Sequence, residues 1–163
     1  MDLAKAARDP WVWGHTVLFI LVGLAAPLMP RHLNLGAADS MLNRVDPSWI
    51  RWLGLPLLVV GAMVIGWGVR SLGRNLTPGT EPLPGGSLVT SGAYAHVRHP
   101  IYTGVVLLLA GYTLAWSNWT LALVVGFIAL KLFDGKARRE ERWLTGRFPD
   151  YEAYMRYVRR RVL

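Results

Sequence analysis

Between Gly92 and Gly104 the chain gathers Tyr94, His96, Arg98, His99, Pro100 and Tyr102, at the entrance of an uncharged stretch that runs from Pro100 to Leu130. Proline suits the first position of a helix and holds the residue before it extended, so His99 and Pro100 read as cap and first turn. The backbone amides left open at such a terminus, together with Arg98 and His99, form an anion site. Tyr102 adds an aromatic face and a hydroxyl, and Gly104 lets a ligand approach the backbone. A second constellation, Lys136, Arg139, Glu140 and Glu141, follows the apolar stretch, with Lys136 and Glu140 on one helix face. A carboxylate opposite an anion-binding helix terminus would recognise a zwitterion such as an amino acid moiety. Taken singly, Arg98, His99 and Tyr102 also fit interfacial anchors, and the charge run also fits a solvated, salt-bridged helix. The candidates for a general base are His96, His99, Glu140 and Glu141.

The elements that must carry these groups are long apolar blocks. Trp11 to Met29 is 19 residues with His15 as its only ionisable group, and Trp52 to Val69 is 18 residues with none. Each approaches the roughly 20 residues that cross a bilayer core. The 31 uncharged residues from Pro100 to Leu130 are too many for one span and are divided by Trp116-Ser117-Asn118-Trp119. The expectation is an all-α integral membrane domain occupying 1–163, with about four transmembrane helices near 11–29, 49–69, 101–116 and 119–133, the last two a short hairpin. Seven of the eight tryptophans fall at the ends of these spans, as in an interfacial aromatic belt.

Basic residues orient the spans. Lys5 and Arg8, then Arg70, Arg74 and Arg98, then ten Lys or Arg from Lys131 onward would share one side, against Arg31, Arg44 and Arg51 on the other. The positive-inside rule then places both termini and the regions 70–100 and 134–163 in the cytosol. The net charge of +8 is a topology signal and an attraction to anionic membrane lipids, not a nucleic-acid signature. With no cysteine, disulfides, thiolate metal sites, a cysteine nucleophile and Cys-linked lipid anchors are excluded. The first apolar block is longer than a signal core and lacks a small-residue cleavage site, so no cleavable leader is expected. The Pro- and Gly-rich run Asn75 to Gly86 predicts a mobile flap, Ser87 to Thr90 a short extended segment, and Gly135 to Thr145 a helix. Phe148, Tyr151, Tyr154 and Val158 recur at helical spacing, predicting a cytosolic amphipathic C-terminal helix that lies on the membrane or caps the spans. The halves do not repeat, which argues against many transporter architectures.

The segments Ser87-Leu88-Val89-Thr90-Ser91-Gly92-Ala93-Tyr94, Arg98-His99-Pro100-Ile101-Tyr102-Thr103-Gly104 and Glu140-Glu141-Arg142-Trp143-Leu144, with the Phe148 to Tyr154 stretch, resemble the isoprenylcysteine carboxyl methyltransferases and their phospholipid methyltransferase relatives. The resemblance is to small prokaryotic-type members and implies a multi-pass enzyme of a prokaryotic cell membrane. It implies S-adenosylmethionine in a cytosolic pocket touching Leu88, Val89, Tyr94, His99, Pro100, Tyr102 and Glu140. It also implies a lipophilic acceptor from the bilayer, oriented by Lys136 or Arg139. Lys136 stands where the family's substrate-facing residue is Arg, which keeps the charge and loses bidentate carboxylate recognition. The chain also ends in Arg159-Arg160-Arg161-Val162-Leu163 without the proline-containing finish common in relatives. The implied acceptor is a carboxylate, as in isoprenylcysteine, with a phospholipid amine or a small thiol as alternatives and a membrane scaffold as the non-enzymatic one. No oligomeric state follows from these residues.

Overall fold

The structure, a computed structural model, describes residues 10–28, 49–77, 84–116 and 119–163. Among them every regular element is helical. Helix α1 is Pro10–Leu28, α2 is Gly54–Leu72, α3 is Pro100–Trp116, α4 is Trp119–Arg147 and α5 is Tyr151–Tyr157. Short 3₁₀ turns, Ile50–Leu53, Gly73–Asn75 and Gly92–Ala95, lead into α2, leave it and precede α3. The loop 30–48, residues 78–83 of the expected flap and the expected hairpin turn at 117–118 lie outside the described residues. Ser87 to Thr90 carries no regular secondary structure.

Helix α3 begins at Pro100, where the proline rule places it, and the amide of Thr103 donates to the His99 carbonyl at 3.1 Å, closing the first turn. The fourth helix departs from expectation. It does not end near 133 but runs unbroken for 29 residues to Arg147, through Gly135 and the charge run. A single interior glycine costs only about 1 kcal/mol, and the Asp134–Arg138 pair at 2.9 Å spans that point on the helix surface. One rigid rod therefore joins an apolar half to a charged half that carries Lys136, Glu140 and Glu141.

By length and composition, Ile50–Asn75 can cross a membrane by itself, and among the described residues it is the one helix that can. Helix α3 and residues 13–28 are shorter apolar helices. Large side chains point away from the protein all round this bundle: Phe19, Ile20, Leu21 and Leu24 on α1, Val59, Val60 and Met63 on α2, Leu123, Val124 and Phe127 on α4. Trp13, Trp49, Trp52, Trp67 and Trp116 are exposed too. Apolar surface on this scale marks a face that meets lipid or another protein.

The interior is held by two kinds of contact. Val22, Val106, Leu109, Val125, Ala129, Phe133 and Ala137 form a core between α1, α3 and α4, and the tail's Val162 joins it. His15 is buried on α1, its ring centroid 4.4 Å from that of Phe133. Between α2 and α3 the contact is backbone to backbone. Gly54, Gly61 and Gly68 recur every seventh residue on α2 and face Gly111, Gly104 and Ile101 on α3. A Cβ at Gly61 would lie 2.8 Å from the Gly104 oxygen, and one at Gly104 would lie 2.6 Å from the Gly61 oxygen. Small residues permit this approach, which in lipid replaces the missing hydrophobic drive with van der Waals contact. The heptad spacing of these glycines was a readable signal of the pairing.

Substituting Gly104→Val should therefore push α2 and α3 apart and cost about 1–3 kcal/mol or more, lowering the thermal midpoint of the detergent-purified protein. Gly126→Ala is the control, since its Cβ would meet only Ala110 Cβ, at 3.5 Å. Equal midpoints for the two variants would show that the helices are held together elsewhere.

Candidate functional site

The start of α3 is bound to the end of the chain. Arg98, 7% exposed, donates from Nε to Glu141 Oε1 at 2.7 Å and from Nη1 to the carbonyls of Val158 at 2.7 Å and Arg159 at 3.0 Å. The amides of Arg98 and His99 donate to the carbonyls of Arg160 at 3.0 Å and Arg161 at 2.9 Å. Thr103 Oγ1 donates to the Val162 carbonyl. Arg161 completes the knot, with Nε 2.8 Å from Glu141 Oε2 and Nη1 2.9 Å from Asp134 Oδ1. Residues 158–163 thus form a strap pinned under α3 and along α4. Burial works against ionising Glu141, but the contacts from His99, Arg98 and Arg161 outweigh it and hold the carboxyl down at about 2.

Above this knot lies a cavity of about 370 Å³. Its walls come from the end of α2, the segment after Gly85, the turn before α3, the first turn of α3, the charged half of α4, and α5. Tyr102 donates its hydroxyl to Glu140 Oε2 at 2.7 Å. The His99 ring stacks on Tyr102, 5.2 Å between centroids and 3° from parallel, with Nδ1 3.7 Å from Glu140 Oε2. Lys136 Nζ lies 5.2 Å from the centre of the Tyr102 ring. His99 Nε2 is buried 3.4 Å from Glu141 Oε1 without the geometry of a hydrogen bond. On the opposite wall Tyr154 donates to the Tyr94 carbonyl at 2.7 Å. Burial pushes the Tyr94 and Tyr151 hydroxyls well above the usual phenol range and Tyr154 up to about 12, so these phenols stay neutral donors at physiological pH.

Local sequence explains the rim. Asn75 at the end of α2 accepts from the amide of Ser87 at 2.9 Å, tying the segment that carries Leu88 and Val89 beside the cavity. Gly92 takes a φ of 63° and lies against Ser71, whose Oγ accepts from the Ala93 amide at 3.1 Å. A side chain at Gly92 would meet both obstacles, the positive φ and Ser71.

Of the residues singled out in the sequence, Leu88, Val89, Tyr94, His99, Tyr102, Lys136 and Glu140 line this one cavity. Pro100 and Arg139 do not line it; Pro100 is fully buried against α2 near Gly68. Arg98 reaches the cavity wall, yet its Nε and Nη1 are committed to Glu141 and the strap rather than to an open anion site. Glu141, a candidate base in the sequence, is instead the centre of the ion cluster. The aromatic face of 148–158 caps the cavity: Tyr151, Tyr154 and Val158 are buried, with Leu88, Leu144 and Phe148 packed on them. Sequence reasoning missed Asn75 and Leu144 as wall residues, and missed the strap. The strap's anchors are mostly backbone carbonyls, which leave no trace in residue type.

The folded Glu141 carboxyl titrates near 2 against an ordinary 4.5. Its contribution to stability is therefore complete above about pH 4.5 and is lost as pH falls toward 2. Glu141→Gln leaves the buried Arg98 without its countercharge and Arg161 with Asp134 alone, and should cost about 3–5 kcal/mol. Thermal unfolding followed across this pH range should show a lower midpoint and a weaker acid dependence in the variant. An unchanged midpoint would mean that backbone hydrogen bonds alone secure the strap.

Comparison with known proteins bears on the same residues. The protein-S-isoprenylcysteine O-methyltransferase of Schizosaccharomyces pombe is 36% identical over 72 residues, which cover 44% of this chain and 30% of that protein. The uncharacterised protein YpbQ of Bacillus subtilis is 26% identical over 113 residues, covering 69% of this chain and 66% of its own. The cobalt-zinc-cadmium resistance protein CzcN of Cupriavidus metallidurans is 27% identical over 152 residues, covering 89% of this chain and 59% of its own. The chain thus spans between 30% and 66% of the length of these relatives. The model of the isoprenylcysteine carboxyl methyltransferase (ICMT) family matches residues 52–146, more than half of the chain and the part that builds most of the cavity. With Tyr102, His99 and Glu140 gathered at the foot of α3 inside that match, the chain belongs to the isoprenylcysteine carboxyl methyltransferase family.

Proposed function

We propose that this protein is a membrane-embedded methyltransferase that uses S-adenosylmethionine and methylates a lipophilic acceptor arriving from the bilayer, a carboxylate of the isoprenylcysteine kind. The observation that carries this reading is the cavity at the foot of α3, where a carboxylate, stacked aromatic rings and a lysine stand next to apolar helices. In the matching topology the four apolar segments cross the membrane, both termini are cytosolic, and the cavity opens at the cytosolic face.

The residues fit the cofactor. The volume lies within the roughly 300–1,000 Å³ of small-molecule pockets. Glu140 offers a carboxylate to an amino group, the rings of Tyr94, Tyr102 and His99 offer π faces to a cation or a base, and Leu88 and Val89 give an apolar edge. S-adenosylmethionine supplies a methyl group activated on a positively charged sulfur.

What remains for the protein is positioning, which in well-oriented systems supplies on the order of 7 to 11 kcal/mol. Tyr102 holds the Glu140 carboxylate through its hydroxyl and carries His99 on its ring, so one side chain positions the other two. Lys136, beside that ring, supplies positive charge where an anionic acceptor would approach. A carboxylate acceptor, with a pKa near ~4, is already nucleophilic at neutral pH and needs no base. This agrees with a site in which Glu141 is locked in ion pairs.

Glu140→Gln keeps the shape and removes the charge. A charge-assisted hydrogen bond contributes roughly 1.5–3 kcal/mol, so affinity for S-adenosylmethionine should fall about tenfold to a hundredfold by calorimetric titration. Unchanged affinity would place Glu140 on a merely structural bond to Tyr102.

For the acceptor, turnover of a carboxylate should be nearly flat from about pH 6 to 9, because it stays ionised throughout. Lys136→Met should then raise the acceptor KM by about tenfold or more while leaving cofactor affinity in place. A rate that climbs with pH, together with tolerance of Lys136→Met, would assign an amine acceptor instead.

A further inference from the structure

Apart from the cavity at the foot of α3, and sharing none of its lining residues, lies a second, open cavity of about 400 Å³, lined by Arg138, Glu141, Arg142, Thr145, Met155 and Arg161. We propose that it is a binding site for a phosphate-class anion, a phospholipid headgroup or a free phosphate, distinct from the methyl-transfer site.

Charge is the first argument. Arg98, Arg138 and Arg161 converge on Asp134 and Glu141, and Arg142 lines the same cavity without pairing to either, so four guanidiniums stand near two carboxylates, a surplus of two positive charges. The carboxylates are already used. Glu141 takes Arg98 on one oxygen and Arg161 on the other, and Asp134 takes Arg138 and Arg161. Arg142 has no hydrogen bond or ion pair among the described residues, although it faces the same cavity. Like charges brought together without counterions repel, and a phosphate, with several acceptor oxygens, suits guanidinium forks.

Position is the second argument. Arg138, Arg142 and Thr145 stand at helical spacing on one face of α4, past the end of its apolar half. Arg138 is five residues beyond Phe133, about 7.5 Å along the axis at 1.5 Å per residue, the depth of a leaflet's polar layer of roughly 5–8 Å. Side chains on a helix lean toward its N-terminus, and on α4 that end is the apolar one, so the arginine stems lean toward the bilayer. Only this placement at the headgroup level rests on the four-span reading; the charge argument does not.

The test measures binding to the full chain in detergent, with no dependence on methyl transfer. One arm titrates dioleoyl phosphatidylglycerol and reads the retained lipid by native mass spectrometry; the other titrates inorganic phosphate by calorimetry. Variant Arg138→Gln/Arg142→Gln removes two cavity arginines and only one exposed ion pair, Arg138 being 63% exposed. Arg159→Gln/Arg160→Gln makes the same charge change at exposed residues outside the cavity. The cavity variant should lose roughly tenfold or more in affinity and the control little. A loss confined to the phosphatidylglycerol arm supports a lipid headgroup as occupant, and a loss in the phosphate arm supports a free anion. Equal losses in both variants, or none in either arm, would overturn the site and leave only diffuse surface charge.

Discussion

The buried carboxylate of Glu141 organises this protein. Taking Arg98 and Glu141 out of water is expensive, and a pair of this kind contributes little net stability compared with apolar packing. What it supplies is registry. Successive residues on a helix point about 100° apart, so seating Glu141 on Arg98 turns Glu140 toward Tyr102 and His99. The same carboxylate receives Arg161 and holds the strap whose carbonyls receive Arg98 and the amides at the start of α3. Two adjacent glutamates therefore have opposite fates: one is internal structure, the other faces the cavity.

This polar knot needs a rigid platform, and the glycine contacts provide it. With α2 and α3 touching through their backbones at Gly61 and Gly104, the end of α2 and the start of α3 cannot drift relative to one another. Asn75 and Ser71 then fix the segment before α3 from the α2 side, while α4 runs past as one continuous rod. Apolar surface faces outward along the bundle, and the paired ionisable side chains around Glu140 and Glu141 collect at one end of it. Two cavities with no lining residue in common divide that end into an aromatic compartment that bears Glu140 and an arginine-rich one that bears Glu141.

The departures from expectation share a cause. Arg98 and His99 at a helix start suggested an open anion site, but the guanidinium found partners 43 to 61 residues away in sequence. The sequence suggested a span ending near 133 and a further helix from Gly135 to Thr145, but α4 runs through both as one rod, since a glycine's propensity cost of about 1 kcal/mol does not outweigh packing and a continuous hydrogen-bond ladder. Pro100, grouped with the cofactor residues, packs against α2 beside Gly68 and does not line the cavity.

From the amino-acid sequence alone came the apolar blocks, the helix start at Pro100, the family resemblance and seven residues of the cavity wall, because these depend on local composition, local backbone rules and fixed spacing. Periodicity assigns residues to a helix face, yet it does not state which way that face is turned. The separate fates of Glu140 and Glu141, the burial of Arg98, and the anchoring of the strap beneath α3 were decided only by tertiary structure. They depend on how α4 is rotated against α3 and on backbone carbonyls at the end of the chain, and a carbonyl is the same in every residue.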